Sequence, residues 1–455
     1  MKSNKLILFI LFAAFLVSCE NQLDKDPRQN EDASVTLSTE SGISNILAGA
    51  YSIAANGDIY GGRILTSADL LAQTGVTSTA ELRWRGTFAD CRQMYNKSML
   101  VNNGFAQQIY LRSYQIINAA NTVIENINKV ADPAKQKTMI AEANFLKSLV
   151  YFDLVRFYAK PYVAGQANSQ LGVVIRPLAI YDFAAELDKE RSTVDEVYSL
   201  IITGLNAAYT DLPASNTFYA DKYAAKALLA RVYLQQGKYA EARDAADDVI
   251  KNSGRSLSVK YADAFNHDVN QSEDIFSIQI TKQTGDNQAN NLYASEENGG
   301  RGGDIEVRNP YLAKFTDPAD ERRNFNYINP ANNRRLTSKF KTEFGDVTII
   351  RLAEMYLIRA EGNFQAGTTL GNTPLIDINI LRTRAKAINL VTVTLANILT
   401  ERELELGMEG FRIHDIKRTR AFVTASLPYD ADRLVFPIPL RETDTNTKIT
   451  QNPGY

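Results

Sequence analysis

Along most of the chain, apolar residues return every three or four positions, the spacing of a helix with one buried face. This pattern predicts helices over Ser41–Ala55, Phe105–Val130, Pro133–Tyr158 and Thr193–Leu212. Pro133 suits a first helical turn, Ser192 or Thr193 can cap the fourth helix, and Pro213 follows its end. The clearest unit is 222–253, KYAAKALLARVYLQQGKYAEARDAADDVIKNS. Its Leu229, Ala230, Tyr233, Gly237, Tyr239, Ala242 and Ala246 follow the small-and-large pattern of a tetratricopeptide helix pair. Small residues let the two helices approach, and Gly237 permits the tight turn between them. A second pair is expected over 348–388, with Ile349, Leu352, Ala353, Tyr356 and Ala360 on one face. Ala143, Leu146, Leu149, Tyr151 and Phe152 suggest a further member. Such pairs cannot bury their apolar faces alone, so they should stack into one superhelix.

Three long stretches break the pattern: 56–104, which is rich in Gly, 161–191 and 254–346. The last contains one strand signal, Asp274–Ile280. Loops this long more often carry function than arise by accident, so the expectation is a helical scaffold bearing large surface loops.

The first residues have a different character. Lys2 and Lys5 precede the apolar run Leu6–Val17, which is shorter than the ~20 residues needed to cross a bilayer. The run closes on Leu16-Val17-Ser18-Cys19, which resembles a bacterial lipoprotein box. The expected organisation is a signal peptide over 1–18, lipidation at Cys19, a polar tether over 19–40 and one folded domain over 41–455. Several acyl chains at ~0.8 kcal/mol per buried CH₂ would fix such a chain to a membrane.

Composition narrows the function. The 455 residues hold 50 Lys plus Arg against 52 Asp plus Glu, a net charge of −2. That balance gives no electrostatic reason to bind nucleic acid. Two His and two Cys leave little for a zinc cluster, and loss of the leader would leave Cys91 without a disulfide partner. No GxSxG, HExxH, P-loop or dinucleotide fingerprint stands in a suitable context, and no cofactor is expected. His267 and His414 are isolated in sequence. Asp268, Asn270, Ser272 and Asp274 alternate like calcium ligands, but the loop lacks the required Gly and closing Glu. Glu401, Glu403, Glu405 and Glu409 could supply paired carboxylates for glycoside hydrolysis. They are interleaved with Arg402, Arg412, Lys417 and Arg418, which points instead to ion pairing between repeats.

Several segments together resemble the SusD/RagB family of nutrient-binding outer-membrane lipoproteins. The most specific are Arg351–Glu361 (RLAEMYLIRAE) and Glu401–Arg418 (ERELELGMEGFRIHDIKR), with Phe436-Pro437-Ile438-Pro439 and Gln451-Asn452-Pro453-Gly454-Tyr455 at the end. Weaker support comes from Tyr110–Ile127, whose core is YQIINAANTVI, and from Asn270–Gln279 (NQSEDIFSIQ). The resemblance implies a mainly α fold of about four tetratricopeptide-like helix pairs, large irregular loops and a few short strands. It also implies a non-enzymatic protein at the cell exterior, a lid on a SusC-like TonB-dependent transporter that captures oligosaccharides or, in some branches, peptides.

In glycan-binding relatives the aromatic platforms come from the early loop and from the long loop before the last repeat. Here the single Trp84 sits between Arg83 and Arg85, a setting unlike ordinary core. Tyr60, Asp69, Tyr95 and Asn96 share its region, and Tyr293 and Arg301 lie in the other loop. These nine residues are the candidate ligand contacts. Having one Trp argues against a broad platform for long glycans and favours a short oligosaccharide or a peptide. A structural or adaptor lipoprotein without a small ligand is the competing reading.

Overall fold

The computed structural model describes residues 36–75, 78–182, 187–283 and 287–455. Cys19 and residues 1–35 lie outside the described residues. Nine helices form the scaffold: α1 (Glu40–Ala55), α2 (Gly104–Glu125), α3 (Pro133–Tyr158), α4 (Val194–Asp211), α5 (Lys222–Gln236), α6 (Tyr239–Asn252), α7 (Leu352–Ala366), α8 (Pro374–Arg384) and α9 (Leu395–Leu406). From α1 to α8 each packs on the next, giving four pairs, and α9 closes against α7. This is the stacked superhelix that the periodicity predicts.

Local chemistry sets the boundaries. Thr39 accepts from Gly42 N at 3.1 Å and caps α1. Thr193 and Glu196 form a capping box on α4. Gly237 adopts φ +71°, and the bonds Gly237 N to Leu234 O and Lys238 N to Tyr233 O close α5 before the chain reverses. Small residues do bring helices close. A Cβ on Gly362 of α7 would lie 2.7 Å from Arg243 Cβ and from Tyr239 O of α6.

Two expectations change. Thr348–Arg351 is not the start of a helix: Val347–Arg351 is a strand paired antiparallel with Asp274–Ile278. Its β-branched residues pack there against a partner some seventy positions earlier, and α7 begins only at Leu352. Residues 56–104 are more regular than a loop, containing the helices Arg63–Leu71 and Ala89–Asn96. The main hydrophobic cluster draws on residues from Ile43 to Ile438, and a smaller one joins α7, α8 and α9.

Candidate functional site

The two long loops meet. Leu82–Trp84 pairs antiparallel with Ile305–Val307, setting Arg83 opposite Glu306 and Trp84 opposite Ile305. Side chains alternate across a strand, so Leu82, Trp84, Ile305 and Val307 turn inward while Arg83 and Glu306 turn outward. Beyond the strand, Arg85 Nε donates to Glu306 Oε2 at 2.7 Å, and Arg308 approaches the same carboxylate at 3.4 Å. Arg301 fastens the second loop to the first. Its guanidinium lies 4.2 Å over the Phe88 ring, donates to Thr87 Oγ1 at 3.2 Å and meets Asp304 Oδ2 at 3.1 Å. The outcome is a ribbon whose outer face is dominated by arginine.

The nine candidates divide. Arg85, Asn96 and Arg301 are exposed and Arg83 is half-buried. Trp84, Tyr95, Tyr60, Asp69 and Tyr293 are buried. Trp84 is only 7% exposed, with its indole against Gly86, where a Cβ would come within 2.5 Å of the ring. Its place between two arginines does not keep it out of the core, because a strand sends alternate residues to opposite faces. Tyr95 is likewise 7% exposed, near Arg83, Arg308 and Arg85. Tyr60 donates to Asp153 Oδ2 of α3 at 2.8 Å, and Tyr293 donates to Asp69 Oδ2 at 2.8 Å. Asp69 Oδ1 also accepts from Gly410 N at 3.1 Å. Burial pushes the Asp69 carboxyl up to about 7 in spite of these bonds. The Tyr60–Asp153 bond pins the first loop to the scaffold, and the Tyr293–Asp69 bond pins the second loop to the first. Thr87, Phe88, Glu306 and Arg308 escaped the sequence reading. The alternation Leu82-Arg83-Trp84-Arg85 held part of the signal, being a period of two.

The C-terminal glutamates form ion pairs. Glu401 accepts from Arg322 at 2.6 Å and from Arg382 at 2.9 Å. Glu403 pairs with Lys314 and Arg412. Glu405 meets Arg351 at 2.6 Å, Arg322 at 3.2 Å and Arg384, while Glu409 meets Arg351 at 2.8 Å and Lys339 at 2.5 Å. Burial alone would raise Glu405, but the guanidiniums of Arg384, Arg351 and Arg322 outweigh it and hold the carboxyl well below the usual range. Asp274, from the calcium-like alternation, accepts from Gln271 N at 2.7 Å and Thr348 Oγ1 at 3.1 Å. Among the described residues no group of His, Cys, Asp and Glu is placed to hold a metal. Cys91 is free and buried.

Two family models match the chain. One, described as SusD family, spans residues 183–433, and the other, described as starch-binding associating with outer membrane, spans 21–234. The chain is 26% identical to SusD-like protein P2 of Formosa agariphila over the whole of both. A segment covering 24% of it is 35% identical to 22% of the starch-binding protein SusD of Bacteroides thetaiotaomicron. Among solved structures, a SusD superfamily protein from Bacteroides thetaiotaomicron superposes with a TM-score of 0.80 at 25% identity, covering 91% of this chain and 100% of that one. A putative sugar binding protein from Bacteroides vulgatus gives a TM-score of 0.80 at 26% identity, covering 92% and 99%.

Proposed function

The chain belongs to the SusD family, and from that premise we propose that it captures carbohydrate at the outer membrane and passes it on with every bond intact. In this reading Cys19 carries the lipid anchor, the folded part from about residue 41 onward acts as one domain facing the cell exterior, and the receiver is a SusC-like TonB-dependent transporter. The description of the matching model, starch-binding and outer-membrane associated, supports the first half.

The observation that carries the reading is the Arg85–Glu306 bond, which joins side chains 221 positions apart into one exposed face. Guanidinium and carboxylate groups on a rigid ribbon can donate to and accept from sugar hydroxyls. A non-catalytic role agrees with the state of Glu401, Glu403, Glu405 and Glu409, because a carboxylate saturated by cations is a poor proton donor.

The test is calorimetric titration with a panel of neutral and acidic oligosaccharides. Binding of at least one, weakened in the Arg85→Ala/Arg301→Ala variant, is the expected result. Failure of every glycan, or equal binding by the variant, removes this face as the capture site. Mass spectrometry of the mature N-terminus tests acylation of Cys19, and co-purification from outer membranes tests the transporter.

A further inference from the structure

A cleft of about 600 Å³ opens among α2, the described residues Val174, Arg176, Ile180, Leu187 and Asp188, and the short helix Leu440–Thr445. None of its lining residues belongs to the loop ribbon. Its floor is aromatic and apolar, with the Tyr110 and Tyr114 rings 4.7 Å apart and tilted by 41°, beside Ile117. Tyr114 Oη donates to Val174 O at 2.7 Å, so the hydroxyl is spent in the wall and the ring remains for a ligand.

The rim is charged but balanced, Arg176 and Arg441 against Asp188 and Glu442. Arg176 already donates to Leu187 O at 2.6 Å, and Asp188 accepts from Thr447 N at 3.2 Å. Glu442 and Arg441 differ: neither side chain has a hydrogen-bond or ion-pair partner among the described residues. Glu442 is half-buried, and burial raises its carboxyl although Arg176 and Arg441 pull the other way. A carboxylate withdrawn from water without a donor is costly, and a ligand that supplies one relieves the cost.

We propose that this cleft is a second saccharide site, taking a neutral unit of one or two sugar rings between the Tyr114 face and the Glu442–Arg441 pair. The inference rests on the carbohydrate reading above and extends it to a different part of the molecule. An aromatic face matches the C–H face of a pyranose. Adjacent hydroxyls donate to Glu442 while accepting from Arg441, which a purely anionic or purely cationic ligand cannot do. The balanced rim gives a charged ligand no advantage, and the volume lies within the range of small-molecule sites, roughly 300–1,000 Å³.

The experiment titrates wild type, Glu442→Gln and Arg441→Ala with maltose, cellobiose, xylobiose and mannobiose, then with the matching hexasaccharides and the dipeptide Gly-Tyr. At least one disaccharide binds wild type, and each substitution weakens it about tenfold, as expected for losing one hydrogen bond to a charged group. Arg441 is exposed, so Arg441→Ala stays informative if Glu442→Gln folds poorly. Unchanged disaccharide affinity in both variants overturns the site, as does binding of Gly-Tyr in place of every sugar. If hexasaccharides bind and no disaccharide does, the cleft assignment falls while the capture reading stands. If no sugar of either length binds, both fall.

Discussion

Arg351 and Glu405 face each other at 2.6 Å with side chains 3% and 0% exposed, joining the start of α7 to the end of α9. Glu273, just before the strand Asp274–Ile278, reaches the same guanidinium at 2.9 Å. Removing one member of such a set leaves uncompensated charge in the core, at a cost of about 3–5 kcal/mol. Glu405→Ala should therefore lower the unfolding free energy by that amount in urea titration. A loss under about 1 kcal/mol would show that the network does not hold the helix pairs together.

Glu405 and Glu409 are both held below the ordinary carboxylate range, Glu405 by Arg384, Arg351 and Arg322 against burial, Glu409 by Arg351 and Lys339 against burial. Depressed groups contribute stability that is complete above about pH 4.5 and is lost as pH falls through their native values. The melting temperature should drop on acidification below that point, with a shallower drop in Glu405→Ala. Equal acid slopes would contradict the assignment.

Asp69 has the opposite sign. Its carboxyl is raised to about 7 by burial, so ionisation is harder in the folded than in the unfolded chain. Its contribution is best below about pH 4 and declines as pH rises to about 7. Asp69→Asn removes this slope, and its melting temperature relative to wild type should climb between those two values. A constant difference across the window would mean that Asp69 titrates normally.

Trp84 should behave as an anchor for the ribbon. Trp84→Ala opens a cavity and should cost about 3–5 kcal/mol, whereas Trp84→Phe should keep glycan affinity within about twofold. Melting curves and calorimetry separate the two effects. Affinity lost in Trp84→Phe with the fold intact would restore Trp84 as a ligand contact.

Gly362→Ala inserts a methyl group against Arg243 and the backbone of Tyr239. Overpacking between α6 and α7 should cost about 1–3 kcal/mol in urea. A neutral substitution would show that these helices can shift apart freely.

The site was less legible than the scaffold, and particular residues show why. Tyr60, Asp69, Tyr95 and Tyr293 have the composition of a sugar site, and the regions holding them do converge. Whether a Tyr hydroxyl meets solvent or a buried carboxylate depends on a partner 93 positions away for Tyr60 and 224 for Tyr293. Helical spacing runs through Ile349 into α7, and only pairing with Asp274–Ile278 makes Val347–Arg351 a strand. Tyr110, Tyr114, Arg441 and Glu442 gave no signal, since their meeting unites α2 with a helix more than three hundred residues later.

What the sequence determined by itself was most of the scaffold helices, the cap at Thr193, the Gly237 turn and the interleaving of acidic with basic residues near the C-terminus. These depend on neighbours within about one or two helical turns, and that range is written in the order of the residues. Tertiary structure decided which aromatic rings are core, which arginines stay open, and that the half-buried Glu442 has no hydrogen-bond or ion-pair partner among the described residues. Exposure and pairing are properties of contacts made when distant segments close on one another, and no local spacing encodes them.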